Sequence, residues 1–263
     1  MVNDLLLGSC LDLLPYVPDG TVDCIICDLP FGCLNRTSDG GKWDCVIPFE
    51  SMWNQFLRVS KENAAIVLFA SGMFTAKLMM SNPSIWRYNL IWDKKNPSGF
   101  LNANRMPLRE HEDICVFYRK QPTFNPQMKA CSEKEVIHSR GNINRKITNG
   151  CYGKRLEMES KIRLEKCPTS ILHYPKPHYK GQHPTQKPVD LCRWLIRTYS
   201  NSGDIILDAT MGSGTTGVAA ALEGRGFIGI ESEKKYYDVA KQRIDEALAK
   251  PRQGDLFDVN IES

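Results

Sequence analysis

Short apolar segments alternate with segments of helical periodicity along most of the chain. Uninterrupted apolar runs rich in β-branched and aromatic residues are typical of buried strands, and they cover residues 22–27, 64–70, 90–92, 114–118, 204–208 and 226–231. Apolar residues spaced three or four apart predict helices at 49–57, 72–80, 189–199, 215–223 and 237–248. Strands that alternate with helices predict an α/β fold, in which a mostly parallel sheet carries helices on both faces.

The middle of the chain departs from this pattern. Between residues 120 and 180, Lys or Arg occurs thirteen times and Asp or Glu five times, although the formal net charge of the whole chain is only +4. Such a basic segment is typical of a surface that binds a polyanion, and a solvated loop region is the alternative interpretation. We therefore expect one α/β domain formed by residues 1–120 and 183–250, a basic insert at 121–182 and a tail at 251–263.

The composition excludes several classes of protein. Hydrophobic residues form 42% of the chain, which is enough for a core and too much for a disordered chain. The first residues do not resemble a signal peptide, and no apolar run approaches the roughly 18 residues of a membrane helix, so we expect a cytoplasmic protein with reduced thiols. Cys24 and Cys27 form a Cys-x-x-Cys pattern, but strand alternation places their sulfurs on opposite faces. We expect both to pack in the core and expect no metal site.

A glycine-rich turn follows the strand predicted at 204–208 and leads into a helix. Gly212 and Gly214 permit close approach of a ligand to the backbone, and the helix start after them attracts an anion such as a carboxylate. Glu231 ends the next predicted strand, about 20 residues further on, where an acid can accept the two ribose hydroxyls of a nucleoside cofactor. Alone, the turn is also compatible with a plain strand-to-helix connection.

A second candidate motif, Asp28-Leu29-Pro30-Phe31, follows the strand predicted at 22–27. Pro30 stiffens the turn. The Asp28 carboxylate and the Leu29 carbonyl provide two acceptors, and Phe31 provides an aromatic face. This set suits an exocyclic amine on a flat ring, because the acceptors can hold both amine hydrogens while the ring stacks. Alone, the tetrapeptide is also compatible with an ordinary Asx or proline turn.

Together, these two motifs resemble those of the amino-methylating DNA methyltransferases. Asp28–Phe31 is similar to the family's (Asp/Asn/Ser)-Pro-Pro-(Tyr/Phe) motif, and Thr210–Gly214 is similar to its Phe-x-Gly-x-Gly loop for S-adenosylmethionine. Three further segments look like the family's N-terminal strand, the approach to its last catalytic-region strand and the lead into the helix before the cofactor loop: 7–10, 100–112 and 183–188. The order of motifs, with the basic segment between them, resembles the beta class. Aspartate at position 28 is similar to the adenine-N6 members.

The resemblance implies a Rossmann-like, seven-stranded methyltransferase fold in which the basic insert recognises the target. The implied reaction moves a methyl group from S-adenosylmethionine to N6 of an adenine flipped out of double-stranded DNA, gives S-adenosylhomocysteine and uses no metal. The implied catalytic residues are Asp28, Leu29, Pro30 and Phe31. The implied cofactor-binding residues are Cys10, Asp28, Thr185, Gln186, Lys187, Asp208, Thr210, Gly212, Ser213, Gly214, Thr215 and Glu231. The expected DNA-binding residues are Arg105, Arg109, His111, Arg140, Arg145, Lys146, Lys154 and Arg155.

Three departures from the family pattern bear on these roles. Leu29 replaces the first proline, which leaves its carbonyl in place. Thr210 replaces the aromatic residue of the cofactor loop, so stacking on the cofactor is not expected there. Ser9 stands where the family has aspartate, so no carboxylate contact to the cofactor's adenine is expected. His111 and Glu112 are compatible with a base pocket or with a strand cap.

The sequence is also compatible with other functions. Within methyl transfer, the alternatives are a cytosine-N4 DNA methyltransferase and an RNA adenine methylase. A catalytically silent nucleic-acid-binding subunit is an alternative of another class, and a nicotinamide dehydrogenase would leave the Asp28–Phe31 turn unexplained. Trp43 and Trp92 are expected in the core rather than against a base. A cognate restriction endonuclease, a homodimer and a bacterial or phage origin fit the family by analogy only.

Overall fold

The structure is a computed structural model, and it describes residues 3–33, 44–136, 164–177 and 186–249. The chain divides into two compact units, Met1–Asn125 with Ser170–Ser263, and Pro126–Thr169. Both boundaries lie inside or next to the segment predicted as the basic insert. The insert residues Arg140, Arg145, Lys146, Lys154 and Arg155 lie outside the described residues, as do Trp43, Thr185 and the tail after residue 249.

The strands alternate with helices over most of the first unit. The strands are β1 (Asp4–Leu7), β2 (Val22–Asp28), β3 (Ser60–Ala70), β4 (Trp86–Ser98), β5 (Arg109–Phe117), β6 (Lys129–Ala130), β7 (Glu165–Lys166), β8 (Ile171–His173), β9 (Ile205–Asp208) and β10 (Gly226–Glu231). The helices are α1 (Cys10–Leu13), α2 (Phe49–Val59), α3 (Met73–Ser81), α4 (Val189–Tyr199), α5 (Thr215–Leu222) and α6 (Lys234–Leu248), with 3-10 turns at Leu14–Tyr16 and Phe100–Asn102.

One sheet organises the first unit. Its strand order is β1-β10-β9-β2-β3-β5-β4-β8, and every neighbouring pair is parallel except those of β5, which runs antiparallel to β3 and β4. The predicted α/β fold with a mostly parallel sheet is therefore confirmed. In the second unit, β6 and β7 form an antiparallel pair.

Among the described residues the sheet contains eight strands, so the predicted count of seven is wrong. The additional strand is β8, which pairs in parallel with β4 from Ile91↔Ile171 to Asp93↔His173 and buries Leu172. Three residues are too few to produce a periodic pattern, and they lie within a basic stretch. Composition therefore assigns β8 to the insert, whereas tertiary pairing places it at the edge of the main sheet.

The core lies in two layers, one on each face of the sheet. Along β2 the side chains alternate, so that Cys24 packs in one layer and Cys27 in the other, as predicted. Helices α4, α5 and α6 cover the first layer, and α2 and α3 cover the second. Trp92 is buried in the first layer, which also agrees with the prediction.

Two element boundaries differ from the predicted ones. The first strand is Asp4–Leu7 rather than 7–10, because Gly8 turns the chain at a φ of 151° and Cys10 begins α1. Strand β5 already begins at Arg109, so residues 109–112 belong to the strand and not to the approach to it. Within the described residues, no helix is long and apolar enough to cross a membrane.

The sheet topology brings the predicted motifs to one edge. Because β1, β2, β3, β4, β8, β9 and β10 all run in the same direction, their carboxyl ends meet there. The chain leaves β2 toward β3 on one side and β9 toward β10 on the other, so a crevice opens beside β2. The turn after Asp28, the glycine loop after Asp208 and the carboxylate of Glu231 all lie at this edge.

Candidate active site

A cavity of about 410 Å³ opens at the carboxyl edge of the sheet. It is lined by most of the residues predicted for the catalytic and cofactor sites: Cys10, Asp28, Leu29, Pro30, Phe31, Gln186, Lys187, Asp208, Thr210, Gly212, Ser213, Thr215 and Glu231. Its volume is within the range of small-molecule and cofactor sites. The two motifs, which are about 180 residues apart in the sequence, therefore share one cavity.

The glycine loop and Glu231 form one end of the cavity. The Gly212 N–H donates to Glu231 Oε2 at 2.8 Å, and the Glu233 N–H donates to Oε1 at 2.8 Å. Burial raises the pKa of Glu231, while these backbone donors act in the opposite direction. Both carboxylate oxygens are thus oriented by backbone groups that no side-chain substitution removes.

Gly214 does not line the cavity, although the resemblance assigns it to the cofactor. It has a φ of 76°, and a Cβ atom there would lie 2.8 Å from Ala240 Cβ on α6. Its glycine is therefore required by helix packing and backbone conformation. From the same helix, Arg243 donates to the Ser213 carbonyl and, at 3.0 Å, to Ser213 Oγ. Sequence reasoning missed Arg243, because nothing in its helical context distinguishes it from a surface arginine.

Thr210 links the two motifs directly. Its Oγ1 donates to the Asp28 carbonyl at 3.0 Å, and its backbone N–H donates to Asp208 Oδ1 at 3.1 Å. The hydroxyl thus connects the glycine loop to the Asp28–Phe31 turn at a position where the resembled family carries an aromatic ring. Asp208 is 3% exposed, and this burial raises its pKa to about 7.

The Asp28 carboxylate is paired with a buried lysine. Lys187 Nζ donates to Asp28 Oδ2 at 2.5 Å and lies 3.5 Å from Glu112 Oε2. Lys94 Nζ lies 3.3 Å from the other oxygen of Glu112, so four charges of alternating sign line one wall. The resemblance places Lys187 at the cofactor's methionine end, whereas the structure places its ammonium against the predicted catalytic carboxylate.

In this cluster, burial and ion pairing shift the pKa of each group in opposite directions. Burial raises the pKa of Asp28, and Lys187 partly offsets that effect. Burial would also raise the pKa of Glu112, but the ammonium groups of Lys187 and Lys94 hold it below its usual value. For Lys187, burial disfavours the charged form, but the two carboxylates raise its pKa above the usual value. The ion pairs therefore keep Lys187 and Glu112 charged.

Aromatic rings lie around the turn predicted to bind an amine and around the lysine paired with it. The Phe31 ring centroid lies 4.9 Å from that of Phe74, and Lys187 Nζ lies 5.1 Å from the centroid of Phe69 and 5.9 Å from that of Trp92. Leu29 turns its side chain into the core at 3% exposure. Among the described residues, no hydrogen bond is donated to the Leu29 carbonyl. Within the part of the chain that the structure describes, the turn thus combines a backbone carbonyl that has no donor with a carboxylate anchored by Lys187.

The hairpin of β4 and β5 supplies residues that sequence reasoning treated as secondary or missed. Arg109 lines the cavity and donates to Ser71 Oγ at 3.2 Å. Glu112 lines it too, whereas the preceding residue, His111, is exposed on the other face of β5. Lys94 was not predicted, because it carried no motif. Arg105 is exposed in the loop between these strands.

Comparison with known proteins identifies the family. The family model N6_N4_Mtase, which describes a DNA methylase, matches residues 22–242. The chain belongs to this family. The match includes the Asp28–Phe31 turn, the basic segment and the glycine loop, so it extends over both ends of the cavity.

Three relatives illustrate the similarity. The Type II methyltransferase M.HinfI of Haemophilus influenzae is 28% identical, over 99% of this chain and 73% of its own length. The Type II methyltransferase M2.MboI of Moraxella bovis is 25% identical, over 91% of this chain and 86% of its own length. The crystal structure of the M1.HpyAVI–SAM complex has a TM-score of 0.60 and 25% identity, over 92% of this chain and 98% of that one. The predicted membership of an amino-methyltransferase family is therefore confirmed.

The pKa of Asp208 predicts a pH-dependent stability. Its folded-state pKa of about 7 lies above the ordinary value of 3.8, so the folded protein holds this proton more tightly than the unfolded chain. The associated stabilisation is complete below pH 4 and is lost as pH rises to about 7, by on the order of 4 kcal/mol. In Asp208→Asn, the free energy of unfolding, measured with urea between pH 4 and 8, should not show this decrease. An equal pH slope in both proteins would contradict it.

Proposed function

We propose that this DNA methylase transfers the methyl group of S-adenosylmethionine to N6 of an adenine in double-stranded DNA. The observation that carries the proposal is the single cavity in which an anchored carboxylate and an available backbone carbonyl meet the glycine loop and Glu231. Aspartate at position 28 favours adenine, by similarity to the adenine-N6 members. Methylation of cytosine at N4 is the second candidate, since the same two acceptors fit either amine.

The residues at the glycine-loop end fit the cofactor. Glu231 offers a carboxylate for the ribose hydroxyls, and the start of α5 at Thr215 offers backbone donors for the carboxylate of the methionine part. Gln186 lies beside this loop and accepts a hydrogen bond from Ser213 Oγ at 3.3 Å. When bound, S-adenosylmethionine supplies an electrophilic methyl group.

The residues at the turn prepare the amine. The Asp28 carboxylate and the Leu29 carbonyl accept its two hydrogens, which favours a tetrahedral nitrogen with a localised lone pair. Phe31 stacks on the base, a contact typically worth about 1–3 kcal/mol. Positioning and electrostatics are sufficient for such a transfer, so no cysteine nucleophile is needed.

Lys187 acts in this proposal as a positioning residue. Its ammonium holds one oxygen of Asp28, which fixes the carboxylate and favours its ionised, acceptor-only form. Glu112 in turn holds Lys187, and Lys94 pairs with the other oxygen of Glu112. Lys187 thus controls the acceptor without contacting the base itself.

The basic insert supplies the proposed DNA contact. The excess of Lys and Arg between residues 120 and 180 suits a phosphate backbone, and phosphate contacts position a protein without specifying sequence. The relatives M.HinfI and M2.MboI are named as Type II methyltransferases, so we also propose a role in restriction-modification.

Nucleoside mass spectrometry tests the function. Plasmid DNA is isolated from a methylation-free host that carries this gene, and its nucleosides are analysed beside those from the Asp28→Ala variant. N6-methyladenine in the wild type alone supports the proposal. N4-methylcytosine would retain the enzyme class but overturn the adenine assignment. An unmodified plasmid would favour an RNA substrate or a catalytically silent nucleic-acid-binding subunit.

Asp28→Ala should lower kcat at least about 100-fold, equivalent to ~2.7 kcal/mol, because it removes an acceptor matched to the developing charge on nitrogen. The measurement is methyl transfer to duplex DNA under saturating cofactor. Asp190→Ala is the control, since Asp190 is an exposed aspartate on α4. Near-wild-type turnover by Asp28→Ala would refute the catalytic assignment.

Lys187→Met should lower kcat by about 10- to 100-fold, because an ion pair and its orientation are lost from Asp28. Without the ammonium, the pKa of Asp28 rises further, so the acid limb of the pH–rate profile should move to higher pH. Lys187→Arg should restore part of kcat. The control is Lys241→Met, which removes an exposed lysine on α6.

The cofactor affinity separates the two roles considered for Lys187. As a positioning residue it should leave the Kd for S-adenosylmethionine, measured by calorimetry, within about threefold of the wild type. A much weaker Kd with unchanged kcat would instead support the methionine-end role that the resemblance implies.

Glu231→Ala should weaken cofactor binding by about 10- to 100-fold, because a charged acceptor for the ribose is lost. Calorimetry with S-adenosylmethionine measures the effect, and circular dichroism verifies the fold. Glu233→Ala is the matched control, since its contact to Glu231 is made by the backbone N–H. An unchanged Kd in Glu231→Ala would contradict the assignment.

A further inference from the structure

The hairpin of β4 and β5 extends well beyond the rest of the sheet. Asp28, at the end of β2, is level with Phe69, and Phe69 is level with Ile114 on β5. β5 runs antiparallel to β3, so its first residue, Arg109, lies beyond the ends of β2 and β3. Arg109 precedes Ile114 by five residues, which corresponds to about 17 Å at the rise of a strand. Arg109 pairs with Ser98 at the end of β4, and the connecting loop lies further out.

The loop at the end of this hairpin presents apolar side chains to solvent. Phe100 is 68% exposed, Met106 is 58% exposed and Leu101 is fully exposed. The backbone around them is well ordered by hydrogen bonds, because the Asn102 carbonyl accepts the N–H groups of Arg105 and Met106 at 2.9 and 3.0 Å. A folded turn therefore holds these side chains in solvent and away from the core. Exposed apolar side chains do not stabilise the fold, and a group of them is typical of a binding surface.

The charge of the hairpin end indicates the kind of partner. Residues 94–109 contain four basic residues and no acidic one: Lys94, Lys95, Arg105 and Arg109. Lys94 is buried in the cavity wall, but the other three are exposed. Lys95 is paired with Asp93 at 3.3 Å and the exposed Glu110 follows Arg109, but residues 99–109 themselves carry Arg105 and Arg109 and no acidic residue. An apolar tip with this positive charge suits a polyanion with an apolar interior, and the base stack of a DNA duplex has both properties.

The position of the hairpin relates the tip to the target base. Ser98 and Arg109, the last paired residues before the loop, both line the cavity that contains Asp28 and Phe31. The loop thus begins at the wall of the cavity that would receive an extruded base. A duplex whose base enters this cavity must come close to the loop.

We propose that the loop of residues 99–108 is a wedge that enters the DNA stack at the target base. Leu101, with Phe100 beside it, occupies the space that the extruded base leaves, while Arg105 and Arg109 contact the adjacent phosphates. Extruding a base costs a few kcal/mol, and an inserted apolar side chain offsets part of that cost. This inference rests on the proposed function, because it requires DNA as the substrate.

The test compares two duplexes that carry the methylation site mapped in plasmid DNA. In one the target base is normally paired, and in the other it lies opposite an abasic site, where extrusion needs little work. Leu101→Ala should lower kcat/KM on the paired duplex at least tenfold and by less than threefold on the abasic duplex. Leu101→Met should restore activity on the paired duplex. Met80→Ala, at an exposed methionine on α3, is the control and should be silent on both.

A second readout follows extrusion itself. With 2-aminopurine at the target position, the wild type should raise fluorescence on binding, and Leu101→Ala should raise it much less at equal occupancy. If Leu101→Ala lowered kcat/KM equally on both duplexes, or kept wild-type activity on the paired duplex, the wedge proposal would be overturned. Failure of the wild type to methylate either duplex would overturn the proposed function instead, so the two failures are distinguishable.

Discussion

Parallel pairing of β2 with β9, and of β9 with β10, is the constraint on which the whole site depends. It aligns the carboxyl ends of three strands, so that Asp28, Asp208 and Glu231 emerge at one edge although the chain between the first two is 180 residues long. Core packing on both faces of the sheet fixes this alignment. The loops beyond the edge can then carry reactive groups without having to stabilise the fold themselves.

The cluster of Lys94, Glu112, Lys187 and Asp28 is difficult to explain by stability alone. Buried ion pairs recover their desolvation cost only with good geometry, and apolar residues of similar volume often serve as well. The cluster lies along one wall of the cavity, and Glu112 Oε2 is buried with no hydrogen bond among the described residues. Through Lys187, this wall orients the Asp28 carboxylate and partly offsets the rise of its pKa on burial, as the proposed acceptor role requires.

Most elements of the fold and many residues that line the cavity could be predicted from the sequence, whereas the contacts between those residues could not. Buried strands and amphipathic helices leave periodic patterns, so most elements of the sheet were expected. Strand β8 was missed because three residues leave no period. Lys187 and Asp28 were both predicted as site residues, but their ion pair was not, since it joins residues 159 apart in sequence. Arg243 acts through Ser213 from a helix that otherwise reads as an ordinary amphipathic one.

The departures from the family motifs are compensated within the structure. Leu29 replaces a proline, yet its side chain is buried and its carbonyl accepts no hydrogen bond from the described residues, so the acceptor is retained. Thr210 replaces an aromatic residue, and its hydroxyl binds the carbonyl of Asp28. Where the family carries a stacking surface, this chain has a direct hydrogen bond between the glycine loop and the Asp28–Phe31 turn. Because the backbone N–H of the same threonine also donates to Asp208, one residue links the glycine loop to both Asp28 and Asp208 by hydrogen bonds.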